Sequence, residues 1–382
     1  MRSLCGSGEE WIATYEIRGG RDRAARVADA ICVEQTVEFP GDLIDREDIR
    51  SEIVGRVIDL TRIGEDRFAA RIAYAIEIVG GEVAQLLNVA FGNTSIQRGV
   101  RLVGLDVPAS LRGVCPGPRF GADDVRRMVH VPDRPLVASA LKPMGMSPRE
   151  LADLAAAMVR GGIDVIKDDH GLTDQPFCRF DDRVRVVADA VNAEASRRGR
   201  PCLYAANVTA DGGQTLDRAA LAREGGAGAV MIAPGIAGFA ALHALAASDE
   251  IALPFLCHPA LLGAFTSCDD GGMSHAMIYA TLPRLFGADA VIFPNHGGRF
   301  PFTPRDCGEI AEACRAPREG VSACFPVPAG GMTLALASEL ARFYGPDTNL
   351  LIGGEQRRGG DVEDGCRRFL DAVEAANTGE RT

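Results

Sequence analysis

GGIDVIKDDH, residues 161–170, joins a short hydrophobic run to a polar loop and ends in a lysine, two aspartates and a histidine. Side chains alternate between the two faces of a strand, so we expect Lys167 and Asp169 to share one face, with His170 just past the strand end. A buried lysine beside aspartates is ordinarily half of an ion pair. The same three side chains can also converge on one metal ion.

Eight hydrophobic runs of strand length follow residue 115 and alternate with helix-length segments. This alternation is typical of an α/β protein with a (β/α)8 (TIM) barrel. An open doubly wound sheet is the alternative, but no Gly-x-Gly-x-x-Gly follows the first strand. The predicted strands are 136–142, 165–169, 202–208, 229–234, 254–258, 290–294, 324–328 and 349–352, and the predicted helices are 148–160, 182–198, 216–223, 275–285, 333–343 and 362–376.

The chain before the Gly- and Pro-rich connection at residues 112–121 has a different pattern. Segments 30–39, 67–79 and 82–91 are predicted as strands or alternating segments, and 46–60 as a helix. We therefore expect a smaller α+β, ferredoxin-like domain at residues 1–115 and the catalytic barrel at residues 116–382.

The composition indicates a soluble intracellular enzyme. A net charge of −11 argues against binding to nucleic acid or to an anionic membrane. The 11 cysteines include no Cys-x-x-Cys pair and are expected to be reduced thiols of a cytoplasmic protein. No uninterrupted apolar run approaches the roughly 18 residues of a membrane-spanning helix, and the acidic start is not that of a secretory signal.

Polar residues recur at the predicted ends of the barrel strands, where barrel enzymes carry their catalytic groups. Lys142 ends the first strand, and His258 and His296 end the fifth and sixth. A single histidine in an apolar strand is more often a satisfied core residue, and a glycine pair is more often a turn. Glycines after strands seven and eight can also expose backbone N–H groups to an anion. Those pairs are Gly330-Gly331 and Gly353-Gly354.

The run 161–170, together with RFDDR at 179–183, resembles the metal-site signature of the RuBisCO large-chain superfamily. The resemblance implies that Lys167 adds CO2 to become a carbamate and binds Mg²⁺ with Asp169 and the following residue. That residue is His170 here, where the family has glutamate. Imidazole is a softer ligand than carboxylate, so either the site accepts a metal other than Mg²⁺ or His170 is not a ligand.

The resemblance covers nearly the whole chain and implies further roles. Lys142 matches a lysine that moves protons, and His258 matches the histidine of the fifth strand. Arg299 stands where carboxylases carry the lysine of their mobile sixth-strand loop. Residues of the N-terminal domain reach the active site of the neighbouring subunit in this family, which implies at least a homodimer. Substrate binding is expected from Glu34, Asn93, His296, Gly330, Gly331, Gly353 and Gly354.

The groups that hold the second phosphate of a bisphosphate in the family are absent. Pro259, Ile292 and Ala329 occupy their positions, and Met144 replaces a second lysine. Since no ionic side chain remains there, we expect a sugar acid or a sugar monophosphate as the substrate. The chain therefore resembles the RuBisCO-like proteins (form IV) and not the CO2-fixing enzymes.

The shared chemistry of the superfamily is stabilisation of an enediolate on a divalent ion. We expect first a decarboxylase or carboxyl-migration enzyme that acts on a 3-oxo sugar acid of the 3-oxo-isoapionate type, or on its monophosphate. The alternative is an enolase, tautomerase or isomerase of a sugar phosphate, as in methionine salvage, although salvage tautomerases resemble the family in placing a lysine at the position of Asn93. A third alternative is a non-catalytic scaffold or a sugar-acid-binding protein. Buried Lys167 argues against it, because an unused buried lysine is costly.

Overall fold

A computed structural model describes residues 3–378 of the 382-residue chain. The chain divides into two compact units. The first contains the residues up to Pro116 together with Leu262–Leu282, and the second contains Gly117–Leu261 and the residues from Pro283 onward. The separate folding of residues 1–115 and 116–382 as domains stays a prediction.

The β-strands of the described residues alternate with helices along most of the chain. They are β1 (Glu10–Arg18), β2 (Arg56–Gly64), β3 (Arg67–Ala75), β4 (Val100–Asp106), β5 (Leu136–Leu141), β6 (Val165–Asp168), β7 (Leu203–Asn207), β8 (Ala229–Ile232), β9 (Phe255–Cys257), β10 (Gly271–Met273), β11 (Ala290–Pro294), β12 (Phe325–Ala329) and β13 (Asn349–Ile352).

The α-helices range from single turns to 19 residues. They are α1 (Arg21–Glu34), α2 (Glu47–Glu52), α3 (Val83–Phe91), α4 (Gly121–Met128), α5 (Pro148–Arg160), α6 (Phe180–Arg198), α7 (Gln214–Glu224), α8 (Pro234–Ala237), α9 (Phe239–Ala247), α10 (Leu282–Leu285), α11 (Pro304–Arg315), α12 (Ala337–Tyr344) and α13 (Val362–Thr378). A π-helical turn spans Met277–Thr281, and 3₁₀ turns span Gly41–Leu43, Ile76–Val79, Asn93–Ile96, Ala109–Leu111, Leu262–Phe265, Leu334–Leu336 and Glu355–Arg357.

The first unit contains a five-stranded sheet in the order β10-β4-β1-β3-β2. β1 pairs antiparallel with β3 and β4, and β10 adds in parallel to β4. Side chains of β1 alternate between buried and partly exposed, as expected of a sheet with one face against a core. The smaller α+β part of the predicted fold is therefore confirmed.

Several local predictions in this unit were wrong. Segment 30–39 begins in helix α1, segment 82–91 contains helix α3, and segment 46–60 contains the short α2 and the start of β2. In α3 the buried residues Val83, Leu86 and Ala90 follow a helical spacing, which decides between helix and strand in a short apolar run. The strand predicted over 67–79 is present as β3.

The second unit contains eight parallel strands in the order β12-β11-β9-β8-β7-β6-β5-β13. All eight predicted strands are present, within two residues of the expected ends. Their inward side chains form one apolar cluster, which includes Leu136, Val165, Met231 and Phe325. The predicted (β/α)8 barrel is therefore confirmed.

The barrel has a seam between β12 and β13. Phe325 N–H donates to the Asp289 carbonyl oxygen at 2.8 Å, so the backbone N–H groups of alternate β12 residues point toward β11. The residues between them, Pro326 and Pro328, stand where an N–H would point toward β13, and proline has no N–H to donate. A side chain partly replaces the missing ladder, because Thr348 Oγ1 donates to the Pro326 carbonyl oxygen at 2.9 Å.

Helix α4 covers the amino-terminal end of the barrel strands. Val125 of this helix, with Val129 and Val131 just after it, belongs to the barrel core cluster. The helix is attached through Asp289, whose carboxylate accepts hydrogen bonds from Phe120 N–H and Gly121 N–H at 2.9 and 2.7 Å. In the described residues, no helix is both long enough and apolar enough to cross a membrane.

Candidate active site

The carboxyl ends of β5 and β6 bring two of the predicted site residues into direct contact. Lys142 follows β5, and its Nζ donates to Asp169 Oδ1 at 2.5 Å. His170 Nδ1 lies 3.2 Å from the same oxygen. The Lys142 side chain is 39% exposed while that of Asp169 is 13% exposed, so the ammonium group borders open space. Asp169 is therefore shared between a lysine and a histidine.

The two adjacent aspartates point to opposite sides of β6. Asp168 is buried, and its carboxylate accepts hydrogen bonds from Arg183 Nε, Tyr204 OH and Asn207 N–H at 3.1, 2.9 and 3.0 Å. This set of partners attaches the strand to its surroundings. Strand alternation predicts that Lys167 and Asp169 share the other face. The direct contacts of Asp169 are with Lys142 and His170, and its charge acts on Lys167.

Lys167 is a buried amine near the carboxyl end of β6. It is 3% exposed, and its Nζ donates to the Asp168 carbonyl oxygen at 2.8 Å. Burial lowers the pKa of Lys167 to about 8, the charge of Asp169 opposes this shift, and the charge of Lys142 adds to it. An appreciable fraction of the amine is therefore neutral near physiological pH, which is the form that reacts with CO2.

His258, at the end of β9, stacks on His170 with ring centroids 4.3 Å apart and planes 11° apart. Its Nδ1 lies 3.2 Å from Ala260 N–H and accepts a hydrogen bond from it. Burial, helped by the charges of Lys167 and His170, lowers the pKa of His258 to about 2. The imidazole is thus neutral, and with Nδ1 accepting, its proton is on Nε2.

Asp169 stays ionised in this environment. Burial raises its pKa, but hydrogen bonds from His170 and Lys142, and the charges of Lys142 and Lys167, outweigh burial and hold the pKa well below its usual range. The site therefore contains a fixed anion next to two lysines and two imidazoles.

The loops after β11 and β12 approach each other closely. A Cβ on Gly331 would lie 2.7 Å from the Gly298 Cα, and Gly331 has a φ of 106°, so both the space and the backbone require glycine. Arg299 N–H donates to the Gly330 carbonyl oxygen at 3.2 Å, and the exposed Arg299 guanidinium lies 5.5 Å from the centre of the Phe300 ring. Close packing accounts for this glycine pair, and anion binding by it stays a prediction.

His296, in the loop after β11, has a buried Nε2 without a hydrogen-bond partner among the described atoms. Its ring meets Phe343 edge-on at 4.8 Å. The loop after β13 is more open, because a Cβ on Gly353 or Gly354 would meet nothing within 4 Å. Sequence reasoning missed Arg357 in this loop, which donates from Nη1 to the Lys142 carbonyl oxygen at 2.6 Å. The signal was a cation three residues after the glycine pair.

Glu34 and Asn93 lie in the first unit and contact each other. Asn93 Nδ2 donates to Glu34 Oε1 at 2.9 Å. The adjacent Gln35, also missed from sequence, is buried, and its amide donates to the carbonyl oxygens of Asn88 and Val89, both at 2.9 Å. Gln35 Oε1 also accepts from Thr94 N–H at 3.0 Å, so the loop that carries Asn93 is held in place.

Comparison with known proteins shows which family this site belongs to. The catalytic-domain model of the ribulose bisphosphate carboxylase large chain matches residues 121–298. A ribulose bisphosphate carboxylase-like protein of Rhodopseudomonas palustris is 39% identical over 96% of this chain and 98% of its own length. The chain belongs to the RuBisCO large-chain family. It is similar to RuBisCO-like members of the family. The crystal structure of a Rubisco-like protein from Rhodopseudomonas palustris matches with 38% identity, a TM-score of 0.87, and coverage of 98% of this chain and 100% of the other.

Two other relatives of this RuBisCO-like chain have named activities. The 5-methylthioribulose-1-phosphate isomerase of Rhodospirillum rubrum is 40% identical over 90% of both chains. A 2,3-diketo-5-methylthiopentyl-1-phosphate enolase of Geobacillus kaustophilus is 31% identical over 96% of this chain and 92% of its own.

The donors in this RuBisCO-like site suit a divalent ion on the condition that Lys167 adds CO2. Within residues 3–378, no cluster of three or more His, Cys, Asp and Glu side chains is placed to hold a metal. Asp169 and His170 supply two donors, and a third must come from Lys167 after it adds CO2. The buried amine with its lowered pKa fits that requirement, so the residues fit a carbamate-dependent ion.

Proposed function

We propose that this chain is an isomerase or enolase of a phosphorylated ketose, which moves a proton between neighbouring carbons through an enediol or enediolate. The observation that carries the proposal is the Lys142 Nζ–Asp169 Oδ1 contact of 2.5 Å beside the buried Lys167. The activities named for the isomerase and enolase relatives support it. They support an enzyme other than a true RuBisCO.

In this mechanism Lys142 is the group that takes up and returns the proton. The side chain is held by Asp169 and is partly exposed, so its neutral amine can take the proton from one substrate carbon and, as the ammonium, return it to the neighbouring carbon. Neutral His258 offers an N–H to a substrate oxygen, and Lys142, once it holds the proton, places its positive charge near the developing negative charge.

Lys167 as a carbamate, Asp169 and His170 would hold a divalent ion, with Mg²⁺ as the first candidate. When bound, the ion supplies Lewis-acid polarisation of a carbonyl. We further propose that Arg299, His296 and the glycine pairs 330–331 and 353–354 bind the phosphate end of the substrate. All of these residues lie in the barrel unit.

The 3-oxo-isoapionate decarboxylase predicted first from the sequence has no support from the relatives, whose names describe isomerisation and enolisation. The two reactions differ in a measurable way. An isomerase or enolase exchanges a substrate C–H with solvent, whereas a decarboxylase releases CO2 from a β-keto acid.

The test is incubation with 5-methylthioribulose-1-phosphate and, separately, with 2,3-diketo-5-methylthiopentyl-1-phosphate, in D2O with Mg²⁺ and bicarbonate, followed by NMR. We expect deuterium in the product without loss of carbon, and a loss of roughly 100-fold or more in rate for Lys142→Met. Release of CO2 from a 3-oxo sugar acid, without exchange on the ketose phosphate, would overturn the proposal. Turnover of neither substrate, with full binding, would favour a sugar-phosphate-binding protein.

We also propose a homo-oligomer in which Glu34 and Asn93 of one subunit complete the site of another. Asn93→Ala and Lys167→Ala should each be inactive alone. Co-refolded equal mixtures should recover about a quarter of the activity. Random pairing makes about half of the dimers mixed, and each mixed dimer has one intact site of two. An inactive mixture would place both residues in the same site of one subunit.

A further inference from the structure

Arg357, in the 3₁₀ turn after β13, reaches back to the residue that follows β5. Its Nη1 donates to the Lys142 carbonyl oxygen at 2.6 Å. The Nζ of the same lysine donates to Asp169 Oδ1 at 2.5 Å. Lys142 is therefore held at both ends, by an aspartate at its ammonium group and by an arginine at its backbone.

The turn Glu355–Arg357 is itself fixed on the barrel. Buried Gln356 donates from Nε2 to Ser139 Oγ at 2.9 Å, and Ser139 lies on β5, three residues before Lys142. A Cβ on Gly365 would lie 2.0 Å from the Gln356 carbonyl oxygen, so the turn also packs tightly against α13. Two consecutive residues of the turn thus contact β5 or the residue that follows it.

The positive charge of Arg357 is available to a ligand. The next residue, Arg358, is ion-paired with Glu355 of the same turn. Arg357 is exposed and has no carboxylate partner in the described part of the chain. A guanidinium has five N–H groups, and the contact with Lys142 uses one of them. Exposed Gly354 is close by, since its carbonyl oxygen accepts from the Arg357 backbone N–H at 3.1 Å.

We propose that Arg357 positions Lys142 and binds the phosphate of the substrate with its remaining N–H groups. This inference rests on the proposed function and deepens it, because it names the residue that links the phosphate to the lysine that moves the proton. Arginine forms strong and directional hydrogen bonds to phosphate. A phosphate that fixes the guanidinium also fixes the Lys142 carbonyl oxygen, and the amine keeps its distance from the reacting carbon.

The lysine content of the chain makes the positioning role measurable without turnover. Lys142 and Lys167 are the only lysines among its 41 lysine and arginine residues. Protein labelled with [1-¹³C]lysine should therefore give two carbonyl signals in ¹³C NMR. Pro143 follows Lys142, whereas Asp168 follows Lys167. Added [¹⁵N]proline splits the Lys142 signal alone and so assigns it.

Arg357→Met should move the Lys142 carbonyl signal upfield, because that oxygen loses a charged hydrogen-bond donor. Arg358→Met is the matched control. It removes the same charge one residue away, from a side chain that pairs with Glu355, and it should leave the signal in place. A Lys142 carbonyl signal that is unmoved in Arg357→Met would overturn the positioning role.

Inorganic phosphate tests the second contact of Arg357. Calorimetry should show phosphate binding to the wild type and to Arg358→Met with equal affinity, and about 10-fold weaker binding to Arg357→Met, as expected for loss of a charged hydrogen bond. Phosphate should also shift the Lys142 carbonyl signal of the wild type. Equal affinity in all three proteins, or no binding to the wild type, would overturn the phosphate contact.

Turnover of 5-methylthioribulose-1-phosphate separates this inference from the proposed function. We expect Arg357→Met to raise KM about 10-fold and to lower kcat about 10-fold, while Arg358→Met changes neither. A rise in KM alone would mark a phosphate ligand that does not position the lysine, and would overturn that role. Absence of turnover in the wild type would overturn the isomerase or enolase, whereas the carbonyl signal and the phosphate affinity would still decide the role of Arg357.

Discussion

At the amino-terminal end of the barrel strands Asp164 lies in the fork of Arg134, with Nη1–Oδ2 and Nη2–Oδ1 distances of 2.7 and 3.0 Å, and it also accepts Val137 N–H. At the carboxyl end Lys167 is buried just as deeply but donates to one backbone carbonyl. Buried Arg284 resembles Asp164 in having several hydrogen-bond partners, because it donates to four backbone carbonyl oxygens.

The number of hydrogen-bond partners separates buried charges with a structural role from the buried amine that is proposed to react. A buried ion with a complete set of partners is fixed in its charged state, because removal of any partner leaves the others unpaired. A buried amine with few partners has a shifted pKa and can change its covalent state. Barrel enzymes carry their catalytic groups at the carboxyl end of the strands, and the role proposed for Lys167 follows that division.

Lys167→Met should have the largest effect on activity and a small one on folding. We expect kcat/KM to fall by about 1,000-fold or more, because the carbamate ligand would be lost, while the urea midpoint should be equal to or above that of the wild type. Activity of the wild type should also rise after preincubation with CO2 and divalent ion. Full activity of thoroughly chelated enzyme would contradict the role of this site.

Asp164→Ala should break the opposite end. It leaves Arg134 and Arg200 without their buried partner, and loss of one partner of a buried pair costs about 3–5 kcal/mol. Urea unfolding should show this loss, whereas kcat per folded molecule should be unchanged. A comparable loss of kcat at a temperature where the variant is folded would show that the two ends are coupled.

The barrel was predictable from sequence because each strand is a short apolar run between breakers, and the alternation around Lys167 assigned Asp169 to the site. The first unit was less predictable, because short apolar segments such as 82–91 fit a helix and a strand equally well when read by composition alone. Contacts such as Arg134–Asp164 and Arg357–Lys142 join residues 30 or more positions apart, and they depend on tertiary packing that local patterns do not contain.

The pH dependence of stability should report the buried amine of Lys167. The folded pKa of Lys167 is lowered to about 8 from an unfolded value near 10.5, so the unfolded chain binds more protons between these values. Stability should therefore rise with pH across this window in CO2-free buffer, by about 3 kcal/mol. The destabilisation is fully present below about pH 8. In Lys167→Met the rise should be absent, and an equal rise in both proteins would assign it to another group.

Asp289→Asn should have the smallest effect of the set. The carboxylate accepts hydrogen bonds from Phe120, Gly121 and Phe255 N–H groups, at 2.9, 2.7 and 2.8 Å. An asparagine oxygen can serve the first two, but its NH2 group would then face the Phe255 N–H, leaving a buried donor opposite another donor. We expect a loss of about 1–2 kcal/mol, typical of one unsatisfied buried group, without change in kcat. Asp289→Ala, which leaves all three N–H groups unpaired, should cost more than Asp289→Asn. If both variants matched the wild type in urea, the amino-terminal end would not depend on complete pairing, and the contrast with Lys167 would lose its physical basis.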